Sequence, residues 1–93
     1  MRNPLISVVM PAYNHQQFIG HAINSVLQQT YSNLELIIIN DGSTDRTEEV
    51  ILSYDDPRIK YTLQENQDAY NALNAGMSQA TGELIAIINS DDI

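Results

Sequence analysis

The chain alternates between two hydrophobic periods. Leu5-Ile6-Ser7-Val8-Val9-Met10 is short, apolar and β-branched, and Pro11 ends it; this predicts a buried strand. Phe18, Ile19, Ala22, Ile23, Val26 and Leu27 then recur at helical spacing, predicting an amphipathic helix over residues 16–28. Asn14, three residues before Gln17, has the form of a capping box for it. Leu34 to Asn40 is a second strand. Asp45 and Glu48 suggest a second capping box, and Thr47, Val50, Ile51 and Tyr54 make the inner face of a second helix, which ends at Asp55-Asp56-Pro57. Ile59 to Leu63 alternates and reads as a third strand. Ala69, Tyr70, Leu73, Met77 and Ala80 mark a third helix. Leu84 to Ile88 is apolar at every position, so a fourth strand buried on both faces is expected.

Strands alternating with helices in this way imply βαβ units. The expected fold class is α/β: a parallel, Rossmann-like sheet with right-handed crossovers. All carboxyl ends of such strands share one rim, and ligands bind there, at a switch in strand order. Pro11-Ala12-Tyr13-Asn14 follows the first strand and Asp41-Gly42-Ser43 the second. Glu65-Asn66-Gln67-Asp68 follows the third and Ser90-Asp91-Asp92 the fourth. Polar and acidic groups from distant stretches therefore converge.

The length, 93 residues, has room for one small domain. The absence of cysteine removes disulfides, thiolate zinc sites and a cysteine nucleophile. Net charge is −8, from 12 acids against 4 scattered cations, which excludes nucleic acid as a partner. The Met1-Arg2-Asn3-Pro4 start lacks the pattern of a signal peptide, and no apolar run approaches the roughly 20 residues of a spanning helix. A cytoplasmic protein is expected, with the inner face of the membrane as the place of a full-length form.

The strand-to-helix turn PAYNHQQ has no glycine, so the dinucleotide fingerprint is missing, as is the GxxxxGK[ST] loop. A phosphate ligand would need another source of positive charge. Asp91 and Asp92 offer hard oxygen donors for Mg²⁺ or Mn²⁺. Without a cation they would repel a diphosphate, by about 4 kcal/mol per charge pair at about 4 Å near a protein surface. Plainer roles stand beside these: a solvated chain end for Asp91 and Asp92, a turn residue capping the second helix for Asp41, and packing for Tyr13. His15 and His21, on different helical faces, read as surface residues.

Together, ISVVMPAYN, LELIIINDGSTD, ATGE and NSDD resemble the N-terminal half of a family 2 glycosyltransferase with the GT-A fold, over essentially the whole chain. The resemblance implies that residues 1–93 are a partial domain, the nucleotide-sugar-binding half, ending just after a D-x-D-like motif. It implies that Pro11, Tyr13 and Asn14 line a nucleotide pocket, with Tyr13 near the base, and that Asp41 accepts a hydrogen bond from uracil or its equivalent. Asp92 would ligate the metal, and Asp91 would reach the ribose or the metal. Asn66 and Asn74 fall on two Asn-x-Gly signatures near the donor. The implied reaction is inverting transfer from a nucleoside-diphosphate sugar, a UDP-sugar above others, to a saccharide or lipid-linked acceptor, with the general base beyond Ile93. Asp68 stands in place of a glycine and Asn89 in place of the first acid of D-x-D. A non-catalytic nucleotide- or metal-binding module, or a decayed relative, is the alternative. The apolar fourth strand, if left as a sheet edge, would favour a homo-oligomer.

Overall fold

A computed structural model describes residues 4–29, 31–65 and 69–88. The elements run β1 (Ile6–Ala12), α1 (Ile19–Leu27), β2 (Leu34–Asp41), α2 (Thr47–Leu52), β3 (Ile59–Gln64), α3 (Ala69–Gln79) and β4 (Leu84–Ile87). All strand pairings are parallel, in the order β3-β2-β1-β4. The expected α/β sheet with alternating βαβ units is therefore present.

β2 is buried along its whole length. Its Leu34, Leu36 and Ile38 join Val8, Met10 and Ala12 of β1 beneath Ile19, Ala22, Ile23 and Val26 of α1 and Ile51 of α2. Ile37 and Ile39 point to the opposite face and pack with Ala72 of α3. The two-residue period of a strand thus feeds two helical layers, and each fully buried Leu or Ile contributes about 1.5–3 kcal/mol. Gly76 lets α3 lie close, because a Cβ there would collide with the Val9 side chain.

Three expectations need correction. β1 continues through Pro11, which pairs with Ile39. The carbonyl of Val9 faces β4, accepting from Ile88 N at 3.0 Å. Pro11, two residues on, faces the same side, but the β1–β4 ladder has ended at Val9↔Ile87, so its missing N–H leaves no ladder bond unmade. α1 starts at Ile19 rather than at residue 16, because residues 15–18 form a turn in which Phe18 N and Ile19 N both donate to His15 O. β4 is not buried on both faces. α3 lies across β1 and β2, and β4 forms the sheet edge with Leu84, Ile85 and Ile87 each about half exposed. No helix among the described residues is long and apolar enough to cross a membrane.

The amino end of the sheet carries a buried carboxylate, Glu35. Ser7 Oγ donates to its Oε2 at 2.5 Å, Thr81 N at 2.8 Å and Thr81 Oγ1 at 3.0 Å, while Lys60 Nζ pairs with Oε1. Burial alone would raise the pKa of this group. The bonds from Lys60, Ser7 and Thr81 outweigh burial and hold it at about 2, against an ordinary 4.5. A depressed carboxylate pKa stabilises the fold fully above the unfolded value, and the contribution fades as pH falls from about 4.5 to about 2. Lys60 is half exposed, so its share is screened. Urea unfolding should lose about 1–2 kcal/mol between about pH 6 and pH 3 through this group, and Glu35→Gln should flatten that dependence. An equal slope in the variant would assign the acid sensitivity elsewhere.

Candidate functional site

The carboxyl rim is built by β1 and β2 and the loops that leave them. Pro11 is half-buried in β1. Tyr13 is the first residue past β1 and is 42% exposed. Asn14 adopts a left-handed conformation, φ 52°, which Asn tolerates better than most residues. Asp41 ends β2 at 3% exposure, opposite Gln64 of β3, whose Nε2 donates to Asp41 Oδ1 at 2.8 Å.

The loops after β1 and β2 are joined by reciprocal bonds. Asn14 N donates to Ser43 Oγ at 3.0 Å, and Thr44 N returns a bond to Asn14 Oδ1 at 2.8 Å. His15 N donates to Thr47 Oγ1 at 2.9 Å and Gln16 N to Asp45 Oδ2 at 3.2 Å. Arg46 N donates to Gln16 Oε1 at 2.9 Å. Side chains of each loop thus satisfy backbone donors of the other, which fixes both beside Tyr13 and Asp41. The expected capping box of Asn14 and Gln17 is absent: the Asn14 carbonyl serves Thr44 instead, and no side chain caps α1. The second box does not form either: the N-cap of α2 is Arg46, one residue past Asp45, and no side chain caps the helix. Asp45 Oδ1 accepts from Thr47 N at 2.9 Å and Thr47 Oγ1 at 2.5 Å. Burial opposes ionisation of Asp45, but the bonds from Thr47 and Gln16 hold its carboxyl below the ordinary value. Asp45 thus orders the turn that leads into α2.

Glu48, the other half of that box, faces the sheet. Tyr61 OH donates to Glu48 Oε2 at 2.6 Å and accepts from Asn40 Nδ2 at 3.0 Å, while Asn40 Oδ1 accepts from Ser43 N at 3.1 Å. Burial and the adjacent Glu48 push the Tyr61 phenol up to about 12, so it remains a donor at neutral pH. This relay ties the β2–α2 loop to β3 from below.

Of the other expected site residues, Asn74 is exposed on α3, in the opposite helical layer from α1 and α2. Asn66, Asp91 and Asp92 lie outside the described residues, as do Asp68 and Asn89. Among the described residues no group of three His, Asp or Glu could hold a metal. The sequence did not single out Gln64 or Thr44. The signal available for Gln64 was its place at a strand's polar carboxyl end, across from Asp41. His21 is exposed as expected, and His15 is half-buried. A separate cavity of about 240 Å³ opens beside the joined loops, walled by Asn14, His15, Gln16, Gln17, Phe18 and Asp45.

The strand order runs outward from β1 to β3 and then returns to β1's other side for β4. A crevice at such a reversal, outside the carboxyl ends, is the ligand position of open α/β sheets. The pattern of glycosyl transferase family 2 matches residues 7–93, and the chain belongs to that family. It is 43% identical over 91 residues to an uncharacterized glycosyltransferase of Rickettsia typhi, covering 98% of this chain and 28% of that one. It is 42% identical over 94 residues to WfgD of Escherichia coli, a UDP-Glc:α-D-GlcNAc-diphosphoundecaprenol β-1,3-glucosyltransferase, covering 100% and 37%. The mannosyltransferase PcManGT of Pyrobaculum calidifontis, solved with GDP-Man and Mn²⁺, aligns with a TM-score of 0.88 at 26% identity, covering 98% of this chain and 28% of that one. The chain thus spans 28% and 37% of the two curated relatives, and its sheet matches part of solved GT-A structures.

Asn14 combines an unusual backbone angle with a bond across the loops, and the two can be separated. Asn14→Ala should lose about 1–2 kcal/mol in urea unfolding, from the lost bond and the φ penalty. Asn14→Gly should lose less, because glycine accepts φ 52° freely. Equal losses in the two variants would contradict the backbone share.

Proposed function

We propose that this chain is the donor-binding part of a metal-dependent, inverting glycosyltransferase that takes a nucleoside-diphosphate sugar. The observation that carries this reading is the rim itself. The joined loops bearing Tyr13, Asn14 and Asp41 stand at the carboxyl ends of β1 and β2. On the other side of β1, Ile88 N donates to Val9 O, and in sequence Ile88 directly precedes Asn89-Ser90-Asp91-Asp92.

Each residue has a role suited to its chemistry. Tyr13 offers an exposed ring for the base to pack on, and Pro11 and Asn14 shape the pocket behind it. Asp41, held by Gln64, accepts the ring N–H of the base. Asn66 and Asn74 supply amide contacts to the donor. A UDP-sugar is favoured, because the more similar of the two relatives named with a donor uses UDP-Glc. Asp91 and Asp92 form a carboxylate donor set that suits Mn²⁺ or Mg²⁺, and Mn²⁺ accompanies the donor in the mannosyltransferase. When bound, such a cation offsets charge on the departing diphosphate. The acceptor class is a saccharide or a lipid-linked one, such as the GlcNAc-diphosphoundecaprenol named for the Escherichia coli relative.

Calorimetric titration of the chain with UDP, with and without Mn²⁺, tests the proposal. The expected result is metal-dependent UDP binding, weaker for GDP and reduced at least about tenfold by Asp92→Asn, a loss of about 1.4 kcal/mol. Binding that ignores both the metal and the substitution, or no nucleotide binding at all, would contradict a working donor site in this chain.

A further inference from the structure

We infer that Glu35 is the positioning residue for β4. Its carboxylate fastens the turn that opens β4 to β1, and this attachment fixes the register in which β4 runs to the carboxyl rim. The functional consequence, placement of Asp91 and Asp92, rests on the donor-site reading above; the attachment itself does not.

The hydrophobic pattern cannot set this register. A strand buried on one face resists slipping, because a one-residue shift turns its apolar face outward. Leu84-Ile85-Ala86-Ile87 is apolar on both faces and exposed at every residue, so no shift is penalised in that way. The ladder to β1 has only four pairs, Ile6↔Leu84 to Val9↔Ile87. A slip of two residues would carry the strand about 6.6 Å along its axis, far more than the reach that separates a metal ligand from a non-ligand.

Specific polar contacts at the start of β4 supply what the pattern lacks. Thr81 presents both N–H and hydroxyl to Glu35 Oε2, at 2.8 and 3.0 Å. Ser7, which lies between Glu35 and β4, donates its hydroxyl to the same oxygen at 2.5 Å and accepts from Gly82 N at 2.8 Å. In the ladder Ser7 stands opposite Glu35 on one side and Ile85 on the other, so one row crosses three strands. Glu83 N donates to Leu5 O at 2.9 Å. Gly82 closes the fit: a Cβ there would stand 2.6 Å from Leu5 O and 2.7 Å from Ser7 Oγ. An uncharged or apolar side chain at 35 would leave the Thr81 and Ser7 donors competing for weaker acceptors or none.

Residue-resolved amide hydrogen exchange on the intact chain tests this. In Glu35→Gln, amides of residues 81–88 should exchange at least about tenfold faster, while β2 amides change by a much smaller factor. Thr81→Val keeps the Glu35 charge, Ser7 and Lys60, and is expected to fold if Glu35→Gln does not. It should speed exchange over the same residues about threefold. Unchanged β4 exchange in a folded variant, or an equal acceleration of β2 and β4, would overturn the positioning role and leave Glu35 as a general stabiliser. In parallel, Mn²⁺-dependent UDP affinity should fall in Thr81→Val. If the parent chain binds no UDP, the donor-site reading fails, and the exchange data still decide the role of Glu35.

Discussion

The constraint on which the structure depends is the complete burial of β2. A strand covered by α1 and α2 on one face and α3 on the other must be apolar in its middle, and Leu36 to Ile39 meet that demand. Its polar residues, Glu35, Asn40 and Asp41, sit near the ends and are as buried as the rest. A buried polar group without a partner costs about 1–3 kcal/mol, so each end has to collect partners from neighbouring elements. Glu35 recruits Ser7, Lys60 and Thr81; Asn40 recruits Tyr61 and Ser43; Asp41 recruits Gln64. Among the described residues no buried side-chain nitrogen or oxygen lacks a hydrogen-bond partner. Satisfying one strand thereby fixes β1, β3, the α2 loop and the turn into β4.

The same requirement separates the two ends of the sheet in character. The amino end is closed and ionic, with a carboxylate held strongly acidic by its donors. The carboxyl end is open and shaped by backbone donors meeting Asn14, Gln16, Ser43 and the Asp45 carboxylate. A rim held by its own cross-links keeps Tyr13 and Asp41 in place, which would lower the ordering cost of binding the proposed donor. For the proposed diphosphate ligand, the net charge of −8 adds repulsion that a bound cation would offset.

Much of this was legible in the sequence. The alternation of apolar strand runs and helical spacing predicts all seven elements and the parallel sheet, because burial on two faces leaves a continuous apolar signature such as Leu36 to Ile39. The signature misled at β4, where the same apolar run marks an exposed edge among the described residues; the pattern records what a strand suits and not what covers it here. The start of α1 was misplaced because Asn14 has the spacing of a cap while Thr44 claims its side chain, and Glu48, also at capping-box spacing, pairs with Tyr61 instead. Glu35 and Gln64 carry no motif. Their roles appear only when the register sets them beside Ser7 and Asp41. That the loops bearing Tyr13, Asn14 and Asp41 meet at one rim was legible because strand ends in a parallel sheet share it, a rule that needs only the order of elements.

The central claim is spatial: nucleotide and metal meet at the carboxyl rim between β1 and β4. Paramagnetic broadening of amide signals by Mn²⁺ in the presence of UDP measures that directly. The account predicts selective loss of signal around Ala12 to Asn14 and Ile87 to Ile88, with Glu35, Lys60 and Thr81 at the far end of the sheet spared. Broadening centred on the amino end, on Asp55 and Asp56, or uniformly over the chain would contradict it.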